Sequence, residues 1–392
     1  MSVIDIIIDK IAKQLMEIEK KKEKLAYIIR SKLQKAPISA LPEKLRECVY
    51  ENYLFFDVSP ISLDGLTIAA VDGGLVSKSL SGVDIIITRA AGVIYTYKHD
   101  SKINVKYVSA KPKDLEIIPN FSAVHGSDLD VMASFHRELL EKKLALKIIK
   151  DDTPNVLLLD GSIFSNPFFY MYSMYAHDAN IDKLIEEVFS IYSELFEVSN
   201  LYNVYVVGVI KDSRKRSFIN WLLKALPMMI KYFDSLREIL DMDYRGILKT
   251  INDVIFLHSV LNKSERTAVF APYELKQLQS PLLNKIIKKI YSNLGTFYLK
   301  PVDFDLPLRI EFFSPDNDII NSVIKIASIL IGLSSYSSIY SFPSILVEAD
   351  NRAKVLQKDA ELIYRRLLSK TQFIQLLHKK RREKGIFPLN VG

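Results

Sequence analysis

The first clear pattern along the chain is helical. Ile7, Ile8, Ile11, Leu15 and Ile18 recur at intervals of three and four, while Lys and Glu occupy the other faces. With no Gly or Pro before Pro37, the stretch from Ile4 to Lys35 predicts one long helix. Such a helix either packs along its own domain or pairs with a second copy of itself. Its heptad regularity is short, so packing is the expectation.

After Pro60 the period changes to that of strands. Leu66 to Val71 is a short β-branched run that stops at Asp72-Gly73-Gly74. Asp84 to Tyr95 and Lys102 to Val108 read as two more strands, spaced as an antiparallel meander. From Leu129 to Lys150, Met132, Phe135, Leu139, Leu140, Leu144 and Ile148 restore the helical period. Val156 to Leu159 is an uninterrupted apolar run, the mark of a strand buried on both faces, and it too ends on an acid, Asp160. A helix from Ile181 to Val198 and a further buried strand from Val204 to Ile210 follow. Three strands, helix, strand, helix, strand make a mixed α/β sheet with crossover helices. Residues 217–300 are mostly helical, with a strand-like piece at Thr267–Phe270. A strand pair is predicted at Phe297–Lys300 and Leu308–Phe313, then helices at Asn317–Gly332 and Ala349–Lys370.

Composition narrows the class of protein. Apolar residues make up 49% and charged residues 25% of 392, the balance of a folded globular chain. Cys48 is the single cysteine, so no disulfide forms within the chain, in keeping with a reducing cytosol. No apolar run reaches the roughly 18 residues of a membrane span. Asp5, Asp9 and Lys10 interrupt the first apolar stretch, unlike a signal peptide. A cytoplasmic protein is expected. The net charge of +7 favours an anionic partner such as nucleic acid. No P-loop, zinc spacing or serine nucleophile elbow is present, which argues against ATP hydrolysis and serine chemistry.

Asp72 and Asp160 share a setting: each stands where an apolar strand meets a glycine-containing turn. Two such acids on neighbouring strands bring carboxylates together, and their repulsion is relieved by a hard divalent cation such as Mn²⁺ or Mg²⁺. Two ions about 4 Å apart suit phosphodiester hydrolysis. The alternative is that each Asp simply hydrogen-bonds the amide after it as a turn former.

Five segments resemble the NurA nuclease family and follow its order: IAAVDGG at 68–74, RELLE at 137–141 with Leu144 and Ala145, LLLDGS at 157–162, GVIKDS at 208–213, and FPSILVEAD at 342–350 with Ala353 to Val355. The resemblance implies a ribonuclease-H-like mixed sheet core with helical insertions, preceded here by the long N-terminal helix. It implies an N-terminal helical segment at 1–45, a nuclease domain at 46–375 with a helical insertion at about 217–295, and a basic tail at 376–392.

By the same resemblance Asp72, Glu141 and Asp160 are metal-binding acids, with Glu138 a competitor for the helix-borne place, and Lys211 is a phosphate-facing cation. At the fifth motif the family's Tyr and His are replaced by Phe342 and Asp350. Asp350 still suits a hard metal but does not donate a proton as an imidazolium does. Arg214, Arg216, Arg266 and Arg309 are further candidates for a DNA path, beside Lys215. The implied activity is metal-dependent cleavage of single- and double-stranded DNA, by 5'-3' exonuclease or endonuclease action. Its setting would be end resection and recombinational repair, in a homodimer working with a hexameric HerA-like translocase. A catalytically silent subunit that binds DNA or the translocase is the competing expectation, as is a ribonuclease-H-like enzyme acting on RNA or a hybrid.

Overall fold

The computed structural model describes residues 3–34, 36–99, 102–109, 114–121, 126–164, 179–272, 281–371 and 375–377. Ten strands form one mixed sheet, in the order β1-β8-β9-β10-β7-β6-β2-β3-β4, with β5 also paired to β3. At its centre are β2 (Thr67–Ser79), β3 (Asp84–Tyr97), β6 (Val156–Asp160) and β7 (Tyr205–Ile210). β3 also carries β4 (Ile103–Val108) and β5 (Glu116–Asn120). β2 and β3 are antiparallel from Thr67↔Thr96 to Ser79↔Asp84, whereas β6 lies parallel to β2 and β7 parallel to β6. β10 (Leu308–Phe313) and β9 (Leu294–Lys300) continue the sheet antiparallel, out to β8 (Glu265–Thr267) and β1 (Phe55–Asp57).

The apolar runs are continuous because both faces of the central strands are covered. Ala69, Val71, Leu157, Leu159 and Val206 face a core shared with α3 (Gly126–Asp152) and α4 (Ala179–Tyr202). Ile68, Ala70, Val156, Leu158, Val207 and Val209 face the opposite core. That core is shared with α9 (Ile319–Ser334) and α10 (Ser344–Ala353). The two-residue strand period then assigns the next positions: Asp72, Asp160 and Lys211 fall on the α10 face, and Gly73 on the α3 face. The parallel register Val71↔Leu159 sets Asp72 beside Asp160.

A third core joins the second half of α1 (Val3–Leu33), with Leu45 of α2 (Glu43–Arg46), to α5 (Ser217–Tyr232), α6 (Tyr244–Thr250) and α7 (Asp253–Val260). In the chain α8 (Pro281–Ile290) comes between α7 and β9, and its Ile287 and Ile290 pack into the first core against α4. None of the described helices is long and apolar enough to cross a membrane.

Four expectations are corrected. β2 does not stop at Asp72; it runs on to Ser79, because β3 keeps pairing with it as far as Asp84. The predicted helix at Ala349–Lys370 is two helices, α10 and α11 (Gln357–Thr371). The chain breaks where the Arg89 guanidinium takes the carbonyls of Ala353 and Lys354 as acceptors. The strand expected at Thr267–Phe270 lies at Glu265–Thr267 instead, with Phe270 bridged singly to Thr296 and Val49. Finally, α1 packs only from Lys22 onward. Leu25, Ile28, Ile29 and Leu33 are buried, but Ile4, Ile7, Ile8, Ile11, Leu15 and Ile18 are exposed because no described residue covers that half.

Candidate metal centre

Three elements converge on one point. Asp72 projects from the middle of β2, Asp160 from the end of β6 and Asp350 from α10, and one carboxylate oxygen of each lies within 4.8 Å of the others. Backbone geometry prepares each position. Gly161, at φ +106, turns the chain sharply after Asp160, and its N–H donates to the Val209 carbonyl at 2.9 Å. The glycines after Asp72 are not turn residues. A Cβ on Gly73 would stand 2.2 Å from Glu141 Oε1, and one on Gly74 2.2 Å from the Ala353 carbonyl oxygen. They are gaps through which α3 and the end of α10 reach the strand.

The electrostatics are those of an acid cluster that favours a cation. Burial, together with the charges of Asp160 and Glu141, pushes the Asp72 carboxyl up to about 7, although the Gly73 N–H donates to its Oδ1 at 2.7 Å. Burial also raises Asp160, while Lys211 pulls it back through a contact of 3.1 Å between Nζ and Oδ2. For Lys211 burial opposes the charge, but Asp160 outweighs it and the ammonium is held above its ordinary value. Its Nζ also lies 4.4 Å from the centroid of the Phe342 ring, which is itself buried. Phe342 is thus the floor under Lys211 rather than a polar member of the site.

Glu141 is buried on α3 beside Gly73, and its Oε1 has no hydrogen-bond partner among the described residues. Arg137 Nε is 3.6 Å from that oxygen and Lys142 Nζ is 3.9 Å from Oε2. Glu138 accepts from the Tyr192 hydroxyl inside the α3–α4 core. Between the two acids Glu141 is the one whose charge reaches Asp72, from the α3 side beside Gly73 and outside the three-aspartate cluster. The donor set fits a hard divalent cation: oxygens only, held close and poorly solvated.

The remaining cations separate into two groups. Arg214 is exposed, three residues after Lys211 in the chain. Arg216 donates to the carbonyls of Leu248 and Lys249, capping α6 at 2.6 and 2.7 Å. Two DNA-path expectations are corrected. Arg266 is buried, forms a two-pronged pair with Glu51 at 2.7 Å and stacks on Phe56. Arg309 is buried and pairs with Glu311 at 2.7 Å. Both neutralise internal carboxylates instead of facing a phosphate. Arg137, given no role from sequence, is the cation that reasoning missed: its charge reaches Asp160 and its NH1 lies 3.5 Å from the Gly73 carbonyl. Its place four residues before Glu141 was the available signal.

A family model described as NurA domain matches residues 66–355, well over half the chain. The solved structure of the NurA nuclease from Sulfolobus solfataricus has a TM-score of 0.54 and 17% identity, covering 93% of this chain and 97% of that one. A structure of NurA with manganese has a TM-score of 0.50 and 12% identity, covering 94% of this chain and 98% of that one. Identities this low speak for the fold. No curated protein matches the sequence significantly.

Proposed function

We propose that this chain, which belongs to the NurA family of nucleases, cuts DNA at the cluster of Asp72, Asp160 and Asp350. The observation that carries this reading is the meeting of three carboxylates from a strand middle, a strand end and a helix, with ligand oxygens within 4.8 Å. Mn²⁺ or Mg²⁺ is the fitting cofactor; two ions are proposed, with Glu141 completing the ligand set. Bound there, the ions supply charge stabilisation to the transition state of phosphodiester hydrolysis. The protein's own contribution is positional. Lys211, held between Asp160 and the Phe342 ring, offers an ammonium to a phosphate oxygen. Arg137 brings a second positive charge to the acids, 3.6 Å from Glu141 and within electrostatic reach of Asp160. Arg214 extends the positive path beyond Lys211.

The wider assignment follows family membership. DNA ends are resected for recombinational repair, by exonuclease or endonuclease action, with a hexameric HerA-like ATPase supplying the translocation. A homodimer is proposed, and the exposed apolar half of α1 supports it.

The test is cleavage of linear single-stranded, duplex and hybrid substrates with Mn²⁺. Wild type should release product from DNA, and Asp72→Ala should lose at least about 100-fold in rate. Equal activity of the two proteins overturns the assignment. DNA binding by wild type with no metal-dependent product points instead to a silent assembly subunit.

A further inference from the structure

The segment from Tyr336 to Phe342 is closed on itself, anchored to Asp305 at Ser341, and bare in the middle. The Ser341 N–H and Oγ both donate to Asp305 Oδ2 at 2.8 Å, and the Tyr336 hydroxyl donates to the Phe342 carbonyl at 3.1 Å. Ser341 and Phe342 are buried, yet Tyr340 between these anchors is 42% exposed and Ile339 beside it 70% exposed. The fold therefore holds an aromatic ring in a defined place without using it as core.

That place adjoins the catalytic cluster. The Tyr340 ring centroid is 6.2 Å from that of Phe342, at 48°, and the Phe342 ring is the one over which Lys211 Nζ sits at 4.4 Å. Lys211 in turn reaches Asp160. Tyr340, Lys211 and Asp160 thus form a row linked through one buried ring. The phenol also acts electrostatically on the Lys211 ammonium, in keeping with this proximity.

An exposed aromatic beside a cation that faces phosphate is the arrangement by which proteins hold single strands, with the phosphate on the cation and the base on the ring. We infer that Tyr340 is the stacking platform for a nucleobase beside the scissile phosphate, so that the strand is taken unpaired at this point. Bases within a duplex already stack on their neighbours and do not offer a face to a side chain. Duplex DNA therefore has to be opened locally before this site can use it. The inference rests on the nuclease reading above and names the form of DNA that the site accepts.

Cleavage of a single-stranded oligonucleotide by the full chain with Mn²⁺ tests it, comparing wild type, Tyr340→Ala and Tyr340→Phe. Each is also given strands with one abasic residue placed at successive positions around the cut. Tyr340→Ala should raise KM by about 5- to 100-fold with kcat little changed, the range of a lost base–aromatic stack. Tyr340→Phe, which keeps the ring, should stay close to wild type. One abasic position should penalise wild type by a similar factor and leave Tyr340→Ala almost indifferent, a coupling that general loosening of the loop does not produce. An unchanged KM in Tyr340→Ala, equal abasic penalties in both proteins, or a loss in Tyr340→Phe as large as in Tyr340→Ala overturns the inference. Wild type releasing no product from any DNA overturns the nuclease reading itself.

Discussion

Asp72 shows how this site trades stability for chemistry. Its carboxyl titrates near 7 in the folded chain against 3.8 for the free group, because burial and neighbouring acids oppose ionisation. The folded, metal-free protein therefore binds more protons than the unfolded chain between these values. The associated stability is fully present below the unfolded value and is lost as pH rises through about 7. Asp72→Asn keeps an oxygen for the Gly73 N–H but removes the charge. It should raise metal-free stability at pH 8 by roughly 2 kcal/mol and flatten the pH dependence, while cleavage is lost. Thermal unfolding across pH 5–8 in a chelator checks this, and an unchanged or lower melting temperature at pH 8 refutes it. The sequence announced Asp72 through its glycines, though for the wrong reason. A turn and a close helix crossing both call for glycine, and only the distances of 2.2 Å to Glu141 and Ala353 tell them apart.

Among the elements, the central strands were the most legible. Apolar runs such as Val156–Leu159 can be continuous only when both faces are covered, and the two cores on either side confirm that reading. The break between α10 and α11 was hidden, because Asn351 to Leu356 contains neither Gly nor Pro. A long-range contact made it: Arg89 on β3 holds the carbonyls of Ala353 and Lys354. This clamp secures the end of α10, whose Asp350 completes the acid cluster. Arg89→Ala should weaken Mn²⁺ binding about tenfold and lower stability by about 1–2 kcal/mol, with Asp350 less well positioned. Calorimetric titration with Mn²⁺ would read the first effect and denaturant unfolding the second. Unaltered Mn²⁺ affinity would show that the clamp serves packing alone.

Across the described residues, one sheet organises four cores, the fourth joining Val76, Ile85 and Ile87 to Ala360 and Tyr364 of α11, and the exposed half of α1 lies outside all of them. Ile8→Asp with Leu15→Asp should leave the circular dichroism of the folded chain unchanged, since neither side chain is buried within the chain. It should also shift the full chain from dimer to monomer in sedimentation velocity. A wild type that sediments as a monomer removes the proposed homodimer; a dimer that survives both substitutions places its interface elsewhere. Local pattern was sufficient for the mixed sheet, its crossover helices and the two aspartates, because strand period and apolar runs depend on near neighbours in the chain. Family resemblance added Glu141 and Asp350. Tertiary structure alone decided the rest: Glu141 stands beside the cluster while Glu138 bonds Tyr192, Asp350 joins Asp72 and Asp160, and Arg266 and Arg309 serve internal carboxylates. Each of those outcomes depends on which distant residues meet in space, and a one-dimensional pattern carries no record of such meetings.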